Sequence, residues 1–426
     1  MLFLVILAAL VLVLFTGIPV FTGLTLFAAA LLLGTEGDLG SLGEIVFGKI
    51  NAPLLVAIPL FTLMAHFMIR GRVVDDLYST AHTLVRHLPG GLGVATVGAC
   101  TIFAAISGSS VATALTIGSA AIPQMLRYGY DRRVAYGVVG AGGTLGILIP
   151  PSAPMVLFGV VSDTSIGALF MAGIMPGLMM AAIFAAYCMF SASGKSAQRM
   201  PRATFAEAAG AIRKSLWSLS LPPIILGGMY LGVFTATEAA AVGALAALII
   251  AVFIYRSLSW HGLWAAALDA SRTSAMLFMI LVGAALFGHV LTKLRIPVQM
   301  VELVTAYGVS QVEFLLAVMV LIFILGMFLE TISIILITTP VVLPVLAALH
   351  ISPIWYGVLL TVNLELALIT PPVGMNLFAI KAITRAPIGD IIMGILPYVI
   401  LLIAGLGLVM AFPQIALWLP STMSYQ

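Results

Sequence analysis

The chain has 426 residues, of which 62% are hydrophobic and 8% charged, with a net charge of +3. A soluble domain carries about a quarter charged residues, so this composition, with a mean hydropathy of +1.22, excludes a soluble globular protein. A charge so small, with no basic patch interleaved with aromatics, excludes nucleic acid as a partner. The two cysteines, Cys100 and Cys188, lie in apolar runs and exclude a disulfide framework.

In chain order, the apolar run over 1–33 lacks a basic leader and is far longer than a signal-peptide core, so it is expected as a retained first span, bent at Gly17 and Pro19. Further full spans are expected over 53–70, 131–160, 164–192, 216–234, 236–256, 274–292, 353–382 and 389–412, each able to cross a hydrocarbon core of about 30 Å. The stretch "RGRVVDDLYSTAHTLVRHL" (70–88) is amphipathic and too charged to span; it reads as an interfacial arm, with a counterpart over 291–308. Directly after each arm, 92–126 and 312–346 are each long enough for two short helices and are expected as re-entrant hairpins.

That topology sorts the basic residues. Arg70, Arg72, Arg86, Arg127, Arg132, Arg133, Lys195, Arg199, Arg202, Arg213, Lys214, Arg256, Arg272, Lys381 and Arg385 fall on one face, and only Lys49, Lys293 and Arg295 on the other. The bias assigns the richer face to the cytoplasm, with the N-terminus inside and the C-terminus outside. A central cytoplasmic linker, 194–214, then divides an N-terminal half, 1–193, from a C-terminal half, 215–426.

The halves echo each other. "GILIPPSAPM" (146–155) and "ALITPPVGMN" (367–376) each place two adjacent prolines inside an apolar run, and 27 residues separate Pro123 from Pro150 and Pro344 from Pro371. An offset of 221 sets Ser109 and Ser110 against Glu330 and Thr331, and Met155 against Asn376. Because the hairpins enter from opposite faces, the fold class is an inverted repeat, the architecture of many secondary transporters. Proline pairs remove donors and block the helical ladder. Such breaks are tolerated at membrane depth only where they are buried or line a cavity, and there they can hold ions and substrate.

The hairpin tips carry the matching chemistry. "AAISGSSVATALT" (104–116) gathers Ser107, Gly108, Ser109, Ser110 and Thr113, whose hydroxyls and carbonyls are neutral oxygen ligands suited to a monovalent cation. For Ser110 or Thr116 alone, close helix packing is the better reading. "LGMFLETIS" (325–333) supplies Glu330 and Thr331; the acid is a functional candidate by its cost or a helix cap, and both stay open. Thr237-Glu238 reads as a cap and first helical turn, Glu365 as an unassigned acid able to carry a proton. His66 and His289 read as packing. No Walker loop, dinucleotide fingerprint or metal-ligand spacing is present, so neither ATP hydrolysis nor a cofactor is expected.

"GVFTATEAAAVGAL", "GMFLETISIILITTPVVLP" and "NLELALITPPVGMNLF" resemble signatures of the large membrane subunit of tripartite ATP-independent periplasmic (TRAP) transporters, the DctM-like family, and the resemblance runs through essentially the whole chain. It implies a sodium-driven importer of organic acids in a bacterial inner membrane, working with a small four-helix membrane subunit and a periplasmic substrate-binding protein. It also implies an elevator mechanism. By that resemblance, one sodium site draws on Ser107 to Ser110 with Pro150, Pro151 and Ser152, and a second on Glu330, Thr331, Thr370, Gly374 and Asn376. Ser109, Thr113, Met155, Thr331 and Asn376 are the candidates for substrate contact. Some members fuse the small subunit to the N-terminus; here a separate chain is expected. Two rivals stand beside this reading. One is a proton-coupled carrier or channel using Glu330 or Glu365. The other is an intramembrane serine protease using Ser109 with His66 or His289.

Overall fold

A computed structural model describes residues 2–71, 73–192 and 201–423; Arg72, Lys195, Arg199 and the first part of the linker lie outside the described residues. The described residues form helices and no strand. The first half comprises α1 (Leu2–Leu14), α2 (Val20–Glu36), α3 (Leu42–Ile50), α4 (Ala57–Arg70), α5 (Val73–Val85), α6 (Gly91–Ser107), α7 (Ser110–Arg127), α8 (Arg132–Leu148), α9 (Ala153–Ser162) and α10 (Ile166–Ala192). The second comprises α11 (Phe205–Tyr230), α12 (Ala236–Ile249), α13 (Trp260–Lys293), α14 (Ile296–Ala306), α15 (Gln311–Gly326), α16 (Thr331–Ala348), α17 (Pro353–Leu368), α18 (Met375–Thr384), α19 (Ile388–Ala411) and α20 (Gln414–Ser421). Seven helical segments among the described residues are long and apolar enough to cross a membrane.

Both expected hairpins form and return to their own side. At the base of the second, Gln311 at the start of α15 donates to the carbonyl of Leu349 just past α16, at 2.8 Å. Near the base of the first, the Thr96 hydroxyl lies 3.7 Å from Met125 Sδ. α16 has the length of a span, yet the Gln311 bond fixes it as a hairpin arm. The hairpins enter from opposite faces, as one ion pair and one shared cavity wall establish. Arg70, the last residue of α4, pairs with Asp269 in the first third of α13, while Lys49 of α3, ahead of α4, shares a cavity wall with His289 and Thr292 at the end of α13. The two helices are therefore antiparallel, and Lys293, ending α13, lies on the face opposite Arg70. The arms that follow, α5 and α14, inherit that opposition.

The repeat is in register helix by helix. α7 and α16 start at 110 and 331 and end at 127 and 348, and α8 and α17 start at 132 and 353, an offset of 221 in each case. Both double prolines break their spans, between α8 and α9 and between α17 and α18, and both proline pairs are cis.

Elsewhere the helices depart from expectation. The first span is not one bent helix but two, because Gly17 takes a left-handed conformation (φ 82°) and Pro19 caps α2. Residues 205–214, expected in the linker, are the first turns of α11, nucleated by a capping box in which Thr204 and Glu207 satisfy each other's backbone N–H. The bond from the Thr204 backbone, helped by the Arg86 guanidinium, holds the Glu207 carboxyl below its ordinary range, so this cap weakens as pH falls. Likewise α13 starts 14 residues before the expected 274, where Ser259 caps it. Glu238 does close an N-terminal turn, but with Thr235 rather than Thr237 as the cap. The short α20 had no counterpart in the expected spans.

Small residues bring the long helices together. A methyl group added to Gly394 in α19 would strike the backbone of Arg133 in α8, whereas one on Gly407, thirteen residues along the same helix, would meet open space. Lipid gives helices no hydrophobic reason to associate, so this close approach is a main source of α8–α19 affinity. Gly394→Ala is therefore expected to destabilise the protein by about 1–3 kcal/mol, and Gly407→Ala to leave it unchanged or raise it by up to about 1 kcal/mol. Melting temperatures in detergent check the pair.

Candidate functional site

Both hairpin tips and the first break meet on one central cavity of about 470 Å³. Its wall includes Ser107, Gly108, Ser109 and Ser110 from tip one, Pro151 from break one, Glu330 and Thr331 from tip two, and Met375 just past break two. The opposite wall comes from α4 and α13, with Thr62, His66 and Thr273 among its polar groups.

The first tip is a turn between two helices. α6 ends at Ser107, Gly108 takes φ 60°, and Ser109 caps α7 by accepting from the Ala112 N–H at 3.4 Å. Gly108 is also where the tip touches the break, since a Cβ there would meet the Pro151 carbonyl oxygen. Behind the tip, Thr113 donates to the Ser109 carbonyl at 2.8 Å and shares a hydrogen bond with the Ser107 hydroxyl at 2.9 Å. Ser152, fully buried, donates to the Ile147 carbonyl at 2.5 Å and so satisfies an acceptor that Pro151 leaves without its helical donor.

The second tip uses an acid in the same place. Glu330, displaced by 221 from Ser109, caps α16, accepting from the backbone N–H of Ser333 at 3.3 Å and from its hydroxyl at 3.2 Å. Capping and a place in the cavity wall therefore coexist in this residue. The break behind it is held by Thr370, donating to the Leu366 carbonyl at 2.7 Å, and by the Val373 N–H, donating to the Met327 carbonyl on the tip at 3.2 Å.

Not every sequence candidate lines the cavity. Thr113, Met155 and Asn376 are buried behind its wall, as are Pro150 and Ser152. Asn376 crosses between repeats: its amide donates to Ser110 Oγ of tip one at 2.8 Å and to the Gly140 carbonyl at 3.4 Å, while its Oδ1 has no partner among the described residues. It thus joins the second break to the first tip. Gly374 lies with Glu330 on a smaller cavity of about 220 Å³ against α1 and α2, and Thr370 lines neither space. His66, read from sequence as packing, instead faces the central cavity. Glu365 is fully buried in α17 with neither carboxyl oxygen bonded among the described residues.

The family described as tripartite ATP-independent periplasmic transporter, DctM component, matches residues 6–415. This chain belongs to that family. It is 42% identical over 391 residues, 92% of either chain, to the C4-dicarboxylate TRAP transporter large permease protein DctM of Pseudomonas aeruginosa. It is 35% identical over 389 residues, 91% of either chain, to the ectoine TRAP transporter large permease protein TeaC of Halomonas elongata. Its fold is that of the Alcanivorax borkumensis YdaH transporter, with a TM-score of 0.66 at 16% identity over 88% of this chain and 89% of that one. These relatives are permeases, so the chain is the large permease subunit of a TRAP transporter and not an enzyme, which removes the serine-protease reading.

The Gly108 contact gives a direct test of tip geometry. Gly129 has a left-handed φ of 80° but open space around it, whereas Gly108 combines φ 60° with the Pro151 contact. Gly129→Ala is expected to cost about 1–2 kcal/mol from backbone conformation alone, and Gly108→Ala about 1–3 kcal/mol more. Thermal unfolding of the two variants side by side measures the difference.

Proposed function

We propose that this chain forms the membrane pathway of a sodium-coupled importer of small organic anions, of the dicarboxylate, sialic acid or keto acid class. The carrying observation is the cavity where two hairpin tips, rich in neutral oxygen ligands and helix N-termini, face each other. An anion resists entering a low dielectric unless its charge is offset. Sodium ions at the tips, held by Ser107–Ser110 with break one and by Glu330, Thr331 and the residues of break two, would supply that offset and order the loops around it. N-terminal helix dipoles at the breaks would add to it.

In this reading α6–α9 and α15–α18 form a moving transport unit carried by the arms α5 and α14, and the remaining spans form a scaffold, which is an elevator. The basic face is cytoplasmic, in a bacterial inner membrane, with the N-terminus inside. Substrate arrives from a periplasmic binding protein, and a small membrane subunit, as a separate chain, completes the complex. The names of the relatives, one for C4-dicarboxylates and one for ectoine, support a carboxylate-bearing solute.

Glu365 favours a second reading. A buried carboxyl with no hydrogen-bond partner among the described residues is a natural proton carrier, and proton coupling would make use of it. Titration of the purified chain with Na⁺ against K⁺ at constant ionic strength separates the two. Sodium about a hundredfold above its Kd is expected to add roughly 2.7 kcal/mol to stability, a gain absent in Ser109→Ala. No sodium-specific gain, with uptake that follows a pH gradient, would transfer the coupling role to Glu365.

A further inference from the structure

Two more cavities lie at opposite ends of α13. The first, about 820 Å³, is walled by His66 and Arg70 of α4, Leu115 and Thr116 of α7, and Asp269. It shares His66, Ile69, Ala112 and Leu115 with the central cavity, so the two adjoin across these side chains. The second, about 660 Å³, is walled by Glu44 and Lys49 of α3, His289 and Thr292 of α13, and Leu336 of α16. It shares no residue with the central cavity. Leu277 and Ile332 line the central space while Leu281 and Leu336, one turn further along the same helices, line the outer one. The two linings therefore stand a single helical turn apart.

The two vestibules are related by the repeat. Leu115 and Leu336 stand 221 residues apart. His66 and Arg70 are four residues apart, as are His289 and Lys293, and the two pairs are displaced by 223, as are Arg72 and Arg295. A spacing of four puts histidine and cation one turn apart on one helix face. In both copies that face ends the helix that leads into an arm. From Asp269 to His289 is 20 residues of continuous helix, a rise of about 30 Å, so the vestibules sit a membrane thickness apart.

We propose that these are matching stations for the transported anion: His289 with Lys49 on the intake side, His66 with Arg70 on the release side. The proposal rests on the anion-carrier reading and adds to it the residues that flank the hairpin site. An imidazole N–H beside a cation, Arg70 one turn along α4 from His66 or Lys49 of α3 in the same wall as His289, offers charge-assisted hydrogen bonds to a carboxylate. Each vestibule also carries one carboxylate, Glu44 or Asp269, which limits how tightly an anion is held and lets it move on. In this conformation the release station adjoins the central cavity, and the intake station shares none of its lining residues.

The test uses the complete transporter, with its partner subunits, in right-side-out and inverted membrane vesicles, with labelled succinate as the solute. His289→Gln is expected to raise KM about tenfold for transport from the intake face at unchanged kcat, the loss of about one hydrogen bond to a charged group. Because the driving gradients fix the ratio of kcat/KM in the two directions, it is expected to lower kcat rather than raise KM in the opposite direction. His66→Gln is expected to do the reverse. A packing role would lower kcat and melting temperature in both directions alike; that result, or no change in either KM, overturns the proposal. Thr116→Cys and Thr292→Cys provide a readout independent of substrate, because the native Cys100 and Cys188 are buried. A membrane-impermeant maleimide should reach Thr116→Cys only from the Arg70 face and Thr292→Cys only from the other, and labelling of both from one face refutes the arrangement. If the unaltered transporter moves no succinate in either orientation, the substrate reading fails while the labelling still decides the vestibules.

Discussion

Everything in this molecule turns on the backbone groups that two pairs of adjacent prolines remove from helical pairing. A spanning segment in lipid must satisfy its own N–H and C=O groups, and at 150–151 and 371–372 it cannot. The chain answers with local donors. Ser152 reaches back to Ile147, the Thr370 N–H to Ala367, whose helical donor would have been Pro371, and the Val373 N–H crosses to Met327 on the neighbouring hairpin. The last bond ties the second break to its hairpin, and at the first break Gly108 of the other hairpin lies close against the Pro151 carbonyl. The cavity is then what remains between two such covered breaks.

The same constraint accounts for the symmetry. A fold that solves the problem once can repeat the solution upside down, and the Arg70–Asp269 pair bears on the inversion by tying the end of α4 to the first third of α13. Between the copies, the detail has diverged more than the frame. Helix limits coincide to the residue in α7 and α16, yet the capping residue is a serine in one and a glutamate in the other. Asn376 spans the divide, so the copies are clasped to each other as well as folded alike.

Much of this was legible in the sequence because membrane helices advertise themselves by length and apolarity, and because double prolines in such runs are hard to place elsewhere. The hairpins were recoverable only through charge, since treating 92–126 or 312–346 as one crossing would have scattered the arginines. What escaped notice lies where hydropathy is silent. The first turns of α11 contain Glu207, Arg213 and Lys214 and look like loop to any measure of apolarity; the Thr204–Glu207 capping box was the sign that they are helix. The split at Gly17 and Pro19 looked like a bend because its two halves are equally apolar. His66 carried no local signal at all. A single histidine on an apolar face says nothing until the second half is laid beside the first and His289 appears four residues before its own cation.

The unequal caps on the two tips have a further bearing. A carrier built from identical halves would be a mirror, with the same energy barriers in each direction. With a neutral hydroxyl at 109 and an ionisable carboxyl at 330, the two tips present different charge to the cavity they share. The barriers on the two sides of the cavity then need not be equal, while the net direction of movement remains set by the gradients that drive it.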